Sequence, residues 1–296
     1  MGWLLEEGVD VAILETTNPS DVTEVVGSGA ANIGLKAMIH VLAAKDRGID
    51  LKSFGTLLDE PPTGLIFKES ANIKGIKDLI GKKIGYIGHF GKIMVDDIMR
   101  QAGIATTEYE MVRVGMNVTD AIMRGTVDTG IGFTNFQRIE LEELCGEKVG
   151  MLRIDELDGL GCCCFCSIQF VASQEYYDEN QEKLKGFMRA MRRAMDYTIE
   201  RPDEAWDIMC RANPRLNVPL YAKIYQRTLP YFSRDLNNVQ RDWNKVGEFC
   251  KRLNILEKDF DQASIWTNEL VPLTGHASVL PVTPGGVLPS TCSPFQ

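Results

Sequence analysis

Apolar and polar positions alternate along the first 170 residues between two kinds of block. Short buried runs, such as Asp10 to Glu15 (DVAILE) with its acidic ends, read as strands. Longer stretches with helical spacing follow them. "TNPSDVTEVVGSG" predicts a helix opened by Asn18, Pro19 and Ser20 and closed by Gly27 and Gly29. "ANIGL" is a strand again, and a helix runs from about Ala37 to Arg47. Strands are expected around Phe54 and Leu65, a short helix at Ile76 to Leu79, a strand from Lys83 to Ile87, and a helix from about Lys92 to Gln101. The alternation predicts an α/β protein wound around a mostly parallel sheet.

One stretch repeats another. "VTEVVGSGAANIGL" from Val22 aligns without a gap on "VTDAIMRGTVDTGI" from Val118, so that Gly29 meets Gly125, Asn32 meets Asp128 and Gly34 meets Gly130. A glycine-closed helix feeding a buried strand twice suggests two related lobes. Two lobes imply a cleft, and ligands of such sheets sit outside the carboxyl ends of strands. Further on, "EKLKGFMRAMRRAMDYTIE" places Leu184, Phe187, Met188, Met191, Met195 and Thr198 on one face of an amphipathic helix with a basic outer face. Its methionines read as core. "RPDEAW" starts the next helix at its proline. Beyond Leu270 the chain turns to Pro, Gly, Ser and Thr without apolar period, and residues 271–296 read as a disordered tail.

Composition narrows the function. With 32 Lys+Arg against 41 Asp+Glu, a net charge of −9 argues against nucleic acid or an anionic membrane as the principal partner, and a small-molecule ligand fits better. MGWLLEEGVD lacks the apolar core of a signal peptide, and no run approaches transmembrane length, which predicts a cytoplasmic protein, with the nucleus the alternative compartment. In such a reducing compartment a cysteine cluster points to metal or catalysis before disulfides.

Three stretches carry candidate chemistry. "GLKAMIHVLAAK" holds Lys36 and His40 four apart, which on a helix puts both on one face near the carboxyl end of the preceding strand. A partly desolvated lysine there has a lowered pKa and can form a Schiff base with an aldehyde; the plain alternative is a solvated lysine and a hydrogen-bonded histidine. "IGYIGHFGKIMVDDI" is strand, loop and helix, where Gly88 and Gly91 allow backbone N–H groups to face an anion and Lys92 adds charge; a plain tight turn is the alternative. "GCCCFC" puts Cys162, Cys163, Cys164 and Cys166 in five positions of a chain with eight cysteines. If extended, Cys162, Cys164 and Cys166 face one side and Cys163 the other, so one metal gathers at most three thiolates; a buried cysteine strand is the alternative.

Together with "LLDEPPTG", "GMNVTDAI", "MLRIDEL" and "NVQRDW", these stretches occur in an order that resembles the fungal 4-amino-5-hydroxymethyl-2-methylpyrimidine phosphate synthases of thiamine biosynthesis, over roughly Gly8 to Leu270. The resemblance implies a type II periplasmic-binding-protein-like fold, two lobes around a ligand cleft, with residues 1–82 and 173–270 as lobe 1, 83–172 as lobe 2, and a homodimer. It implies that pyridoxal 5'-phosphate is consumed as co-substrate and held at Lys36, with its phosphate at Gly88, His89, Phe90 and Gly91. His40 would donate imidazole atoms to the pyrimidine, so each chain would work once. Iron and dioxygen would be required, with Cys162, Cys163, Cys164 and Cys166 as the iron or redox element.

Three departures from the family pattern are expected to matter. The family opens with a further strand and an Asn-Trp helix before the segment matched by "GWLLEEGVD", which implies a first lobe without its first strand. His89 stands where the family carries a glutamate, and the stretch after Leu270 differs from the family's C-terminus. The rival expectations are a non-catalytic solute-binding protein for a thiamine-pathway pyrimidine, and an inactive truncated paralogue.

Overall fold

The computed structural model describes residues 1–14, 21–59, 63–157, 167–259 and 261–273. In chain order the helices are Trp3–Glu6 (α1), Val22–Gly27 (α2), Met38–Asp46 (α3), His89–Gln101 (α4), Val118–Met123 (α5), Gln137–Cys145 (α6), Ile154–Leu157 (α7), Gln174–Glu179 (α8), Gln181–Glu200 (α9), Pro202–Ala212 (α10), Pro219–Thr228 (α11) and Gln240–Arg252 (α12). The strands are Gly34–Ala37 (β1), Leu51–Leu58 (β2), Thr63–Lys68 (β3), Lys83–Tyr86 (β4), Glu110–Arg113 (β5), Thr129–Phe133 (β6), Val149–Arg153 (β7) and Ile168–Ser173 (β8).

They form two sheets, one ordered β1-β8-β2 and one ordered β5-β4-β6-β3-β7. The expectation of a mostly parallel sheet is corrected. β8 runs antiparallel to both its neighbours, and β3 runs antiparallel to β6 and β7; β4 alone is parallel to the strands beside it, β5 and β6. The connections explain this. β4, β5 and β6 are joined through α4 and α5, and a helical crossover returns the chain in the same direction. β3 and β8 instead each begin where the chain passes from one sheet to the other, so neither is bound by that rule. The lobe limits move with the strands: residues 63–68 pair into the five-stranded sheet and residues 168–173 into the three-stranded one.

The expected strand at DVAILE does not form. Asp10 to Leu14 are irregular, with Ile13 87% and Leu14 64% exposed, and Glu15 lies outside the described residues. A strand needs a hydrogen-bonded neighbour, and among the described residues no strand pairs with this stretch. Asn18, Pro19 and Ser20 also lie outside the described residues; α2 begins after Asp21.

The internal echo has a structural counterpart. α2 precedes β1 as α5 precedes β6, and Gly29 and Gly125 both hold a left-handed backbone, φ +75° and +69°. A Cβ on Gly34 would sit 2.8 Å from Val22 Cγ1 and 2.7 Å from Val26 Cγ2, and one on Gly130 would sit 2.4 Å from Val118 Cγ2. In both copies a bare strand glycine lets the first valine of the preceding helix lie directly on the sheet.

α4 joins the two lobes. Val95 and Met99 pack into the core of the five-stranded sheet with Leu65, Ile84 and Ile131, while Met94 and Ile98 join the core that holds α3, α12 and Val171 of β8. The pairs 94/98 and 95/99 follow i, i+4 spacing, so the helix is apolar on two adjoining faces. Between α4 and α12, Asp97, 5% exposed, takes an ion pair from Arg252 at 3.1 Å and another from Arg100. On the other side of the three-stranded sheet, α9 buries Leu184, Phe187, Met188 and Met195 as expected, and its Arg189 and Arg193 pair with Glu7 and Glu6 beside α1. Leu270 and Val271 are buried, so packing continues one residue into the expected tail; residues 274–296 lie outside the described residues.

Candidate functional site

Lys36 and His40 do not share a helix face. Lys36 is the third residue of β1 and His40 the third of α3, because the chain goes from strand to helix with no linker: Ala37 is still extended and Met38 N donates to Ser167 O at 3.0 Å. Strand alternation turns Lys36 to the same face as Gly34, which contacts α2, so the lysine stands on the side of the sheet that α2 and α3 cover. It is 5% exposed. Burial lowers its pKa, Glu24 opposes that, and Arg47 adds to it.

His40 is only partly exposed, and its pKa falls to about 3, first through burial and then through the positive charges of Lys36 and Arg47. At neutral pH the imidazole is therefore uncharged. The ring of Phe90, from the first turn of α4, lies 5.0 Å from that of His40, tilted by 44°. The helix that joins the two lobes thus sets one aromatic ring against the histidine.

The Gly88 loop meets the expectation of strand, loop and helix, with α4 starting at His89 rather than Lys92. Gly88 is the N-cap, in extended backbone, and a Cβ there would meet nothing within 4 Å. Gly91 is tight by contrast: a Cβ would come 2.7 Å from Ile131 Cδ1, so glycine lets the helix start lie against β6. The first-turn N–H groups of a helix have no carbonyl partners within it, and no acidic residue occupies this first turn. That end of a 13-residue helix favours an anion such as a phosphate. Lys92 does not contribute the free charge expected of it, since Asp96 holds its ammonium at 2.5 Å. His89 is exposed, its ring 6.2 Å from that of Phe90.

Cys162, Cys163, Cys164 and Cys166 lie outside the described residues. Among the described residues no group of three or more His, Cys, Asp or Glu side chains is gathered for a metal, and Cys250 is inert, its thiol pushed up to about 12 by burial. Composition and spacing did not single out Gln169. Its register partner on β1 is Lys36 and on β2 is Thr56. The available signal is one amide in the otherwise apolar run from Ile168 to Ala172.

A two-lobed α/β arrangement with a buried lysine, a neutral histidine and an open helix N-terminus where the lobes meet has the periplasmic-binding-protein-like fold. Solved structures share the fold. A Bordetella bronchiseptica protein matches with a TM-score of 0.70 at 21% identity, over 91% of this chain and 88% of that one. The alkanesulfonate-binding protein SsuA of Xanthomonas axonopodis, bound to MOPS, matches at 0.68 and 16% identity, over 89% and 91%. The family model described as NMT1/THI5 like matches residues 1–205. Relatives named 4-amino-5-hydroxymethyl-2-methylpyrimidine phosphate synthase come from Legionella pneumophila, 54% identical over 95% of this chain and 89% of the relative, and from Uromyces fabae, 47% identical over 91% and 81%. This chain belongs to the NMT1/THI5-like family. No helix among the described residues is long and apolar enough to cross a membrane.

Proposed function

We propose that this protein is a 4-amino-5-hydroxymethyl-2-methylpyrimidine phosphate synthase that builds the thiamine pyrimidine precursor from pyridoxal 5'-phosphate and its own His40, once per chain, in an iron- and dioxygen-dependent reaction. The observation that carries the reading beyond the names of its relatives is the desolvated Lys36 four residues from the uncharged His40, beside the open N-terminus of α4.

The residues present fit the co-substrate. Pyridoxal 5'-phosphate would supply an aldehyde for an amine, ring carbons and a phosphate. Lys36, held toward its neutral form by burial, is suited to take the aldehyde. Gly88, His89, Phe90 and Gly91 offer backbone N–H groups to the phosphate, with open space at Gly88. Phe90 shields His40 from water, and the depressed pKa keeps the imidazole neutral, with one ring nitrogen carrying a free lone pair, as a nitrogen donor needs. The short strand-to-helix connection fixes the backbone positions that carry the amine and the imidazole, which serves the positioning such a reaction requires. The thiolates of Cys162, Cys163, Cys164 and Cys166 suit a borderline or soft metal and are proposed to hold the iron, which would supply redox capacity. A homodimer and a cytoplasmic location complete the proposal.

The test is incubation with pyridoxal 5'-phosphate, ferrous iron and air, followed by the mass of the tryptic peptide that contains His40. Loss of mass at His40 with release of a pyrimidine phosphate is expected. His40→Asn is expected to bind the co-substrate and release no product, and product from that variant would refute the assignment. Lys36→Arg is expected to lose borohydride-trapped pyridoxal. The fold shared with an alkanesulfonate-binding protein favours a second reading, reversible binding without chemistry. Tight binding with an unaltered His40 peptide and no dependence on iron would establish it.

A further inference from the structure

Gln169 is completely buried, yet among the described residues its amide nitrogen has no hydrogen-bond partner. Its other amide atom lies 3.2 Å from Ser53 Oγ and 3.0 Å from Thr56 Oγ1, both on β2. The hydrogens can be counted. Asn238 donates through Nδ2 to Thr267 O at 2.9 Å, so its oxygen is the atom that accepts from Trp243 Nε1 at 3.0 Å and from Ser53 Oγ at 2.9 Å. Ser53 has a single hydroxyl hydrogen, and Asn238 takes it. What Ser53 then shows to Gln169 is a lone pair, which calls for a donor. The two ends of a carboxamide are alike in shape, and the network decides between them. The Thr56 hydroxyl can donate or accept and so fits either end of the amide, and Ser53 decides: the Gln169 nitrogen belongs on the β2 side, donating to Ser53 and Thr56, and its oxygen faces away from β2.

Away from β2, the next strand is β1, and the residue directly opposite Gln169 is Lys36. Side chains opposite each other in an antiparallel pair stand on one face with Cβ atoms about 5 Å apart. A buried carbonyl oxygen without a donor is costly, and a lysine beside it is the matching group.

Resting on the reading of Lys36 as the group that takes the aldehyde, we propose that Gln169 is its positioning residue: the carboxamide oxygen accepts a hydrogen bond from Lys36 Nζ and orients the amine toward the cleft. The charged groups acting on Lys36 are Asp21 and Glu24 beside and on α2, and Arg47 at the end of α3; His40 is its titratable neighbour. Gln169 adds a neutral acceptor from β8.

An acceptor favours the ammonium form, so its removal makes Lys36 reactive at lower pH. The experiment labels the folded protein with trace acetic anhydride from pH 6 to pH 11 and follows the Lys36 peptide by mass, alongside borohydride trapping of pyridoxal 5'-phosphate. Gln169→Leu, which keeps the bulk, is expected to move the labelling midpoint down by about one pH unit, roughly tenfold more label at a fixed pH below it. Gln169→Glu, which offers a charged acceptor and oxygens for Ser53 and Thr56, is expected to move it up. Unchanged midpoints in both variants, with thermal unfolding like the parent, would overturn the proposal. Shifted midpoints with no pyridoxal trapped on Lys36 at any pH would uphold the contact and remove the aldehyde reading instead.

Discussion

Replacing Asp97 with asparagine tests how firmly α4 is tied to the opposite lobe. The carboxylate is 5% exposed and meets Arg252 of α12 at 3.1 Å, Arg100 one turn on, and Gln101 Nε2 at 2.7 Å. Removing one partner of a buried ion pair costs about 3–5 kcal/mol, because the other charge is left desolvated. That range must be reduced here. Arg100 is 72% exposed and regains water, Arg252 is 28% exposed and regains some, and asparagine keeps an acceptor for Gln101. About 2–3 kcal/mol remains, which for a protein of this size is a fall in Tm of roughly 4–12 °C. Urea unfolding of the single variants and of a double-mutant cycle with Arg252→Met is the assay. A coupling of about 2 kcal/mol with Arg252 and under about 1 kcal/mol with Arg100 is expected. Coupling to Arg252 below about 0.5 kcal/mol would show that apolar packing by Met94 and Ile98, rather than the ion pair, fastens the helix.

Other outcomes follow from the same structure. Gly130→Ala forces a Cβ to within 2.4 Å of Val118 and is expected to cost about 1–3 kcal/mol, with Gly34→Ala, at 2.7 Å from Val26, in the same range. Gly88→Ala, with open space and extended backbone, is expected to cost no more than about 1 kcal/mol, the difference between glycine and alanine at an N-cap, so loss of phosphate binding beyond that reports on the site and not on folding. By NMR the His40 ring should remain neutral down to about pH 3. Since its folded pKa lies below the unfolded value near 6.5, the unfolded chain binds the extra proton between those limits. Stability should therefore fall as pH drops through that window, at about 1.4 kcal/mol per pH unit from this group, and His40→Asn should remove that share of the slope.

Much of this architecture was legible because local pattern and tertiary demand agree. The α3 and α9 spacing, the strand at Lys83, and the echo between Val22 and Val118 all survive, since each is stabilised by contacts its own period predicts. DVAILE failed because apolar alternation states only that a strand would be buried if it had a neighbour. The direction of β3 and β8 was not readable either, for it is set by the passage of the chain between lobes. In the site, the four-residue spacing found Lys36 and His40 but gave them the wrong geometry, because a helix and a strand-helix junction both bring positions i and i+4 near each other. Gln169 was invisible without register: it sits 133 positions from Lys36 in sequence and directly across from it in the sheet.

The junction between β1 and α3 also bears on motion. Lys36 and His40 ride on one lobe, joined by three covalent residues, whereas Phe90 comes from the first turn of a helix that leans on both lobes. Movement of the start of α4 against α3 would leave the backbone spacing of Lys36 and His40 unchanged and would shift only the phenyl ring. The pair is preassembled at one junction and its aromatic cover belongs to another element, so the part of the chain that covers the site and the part that spaces the reacting groups are separate.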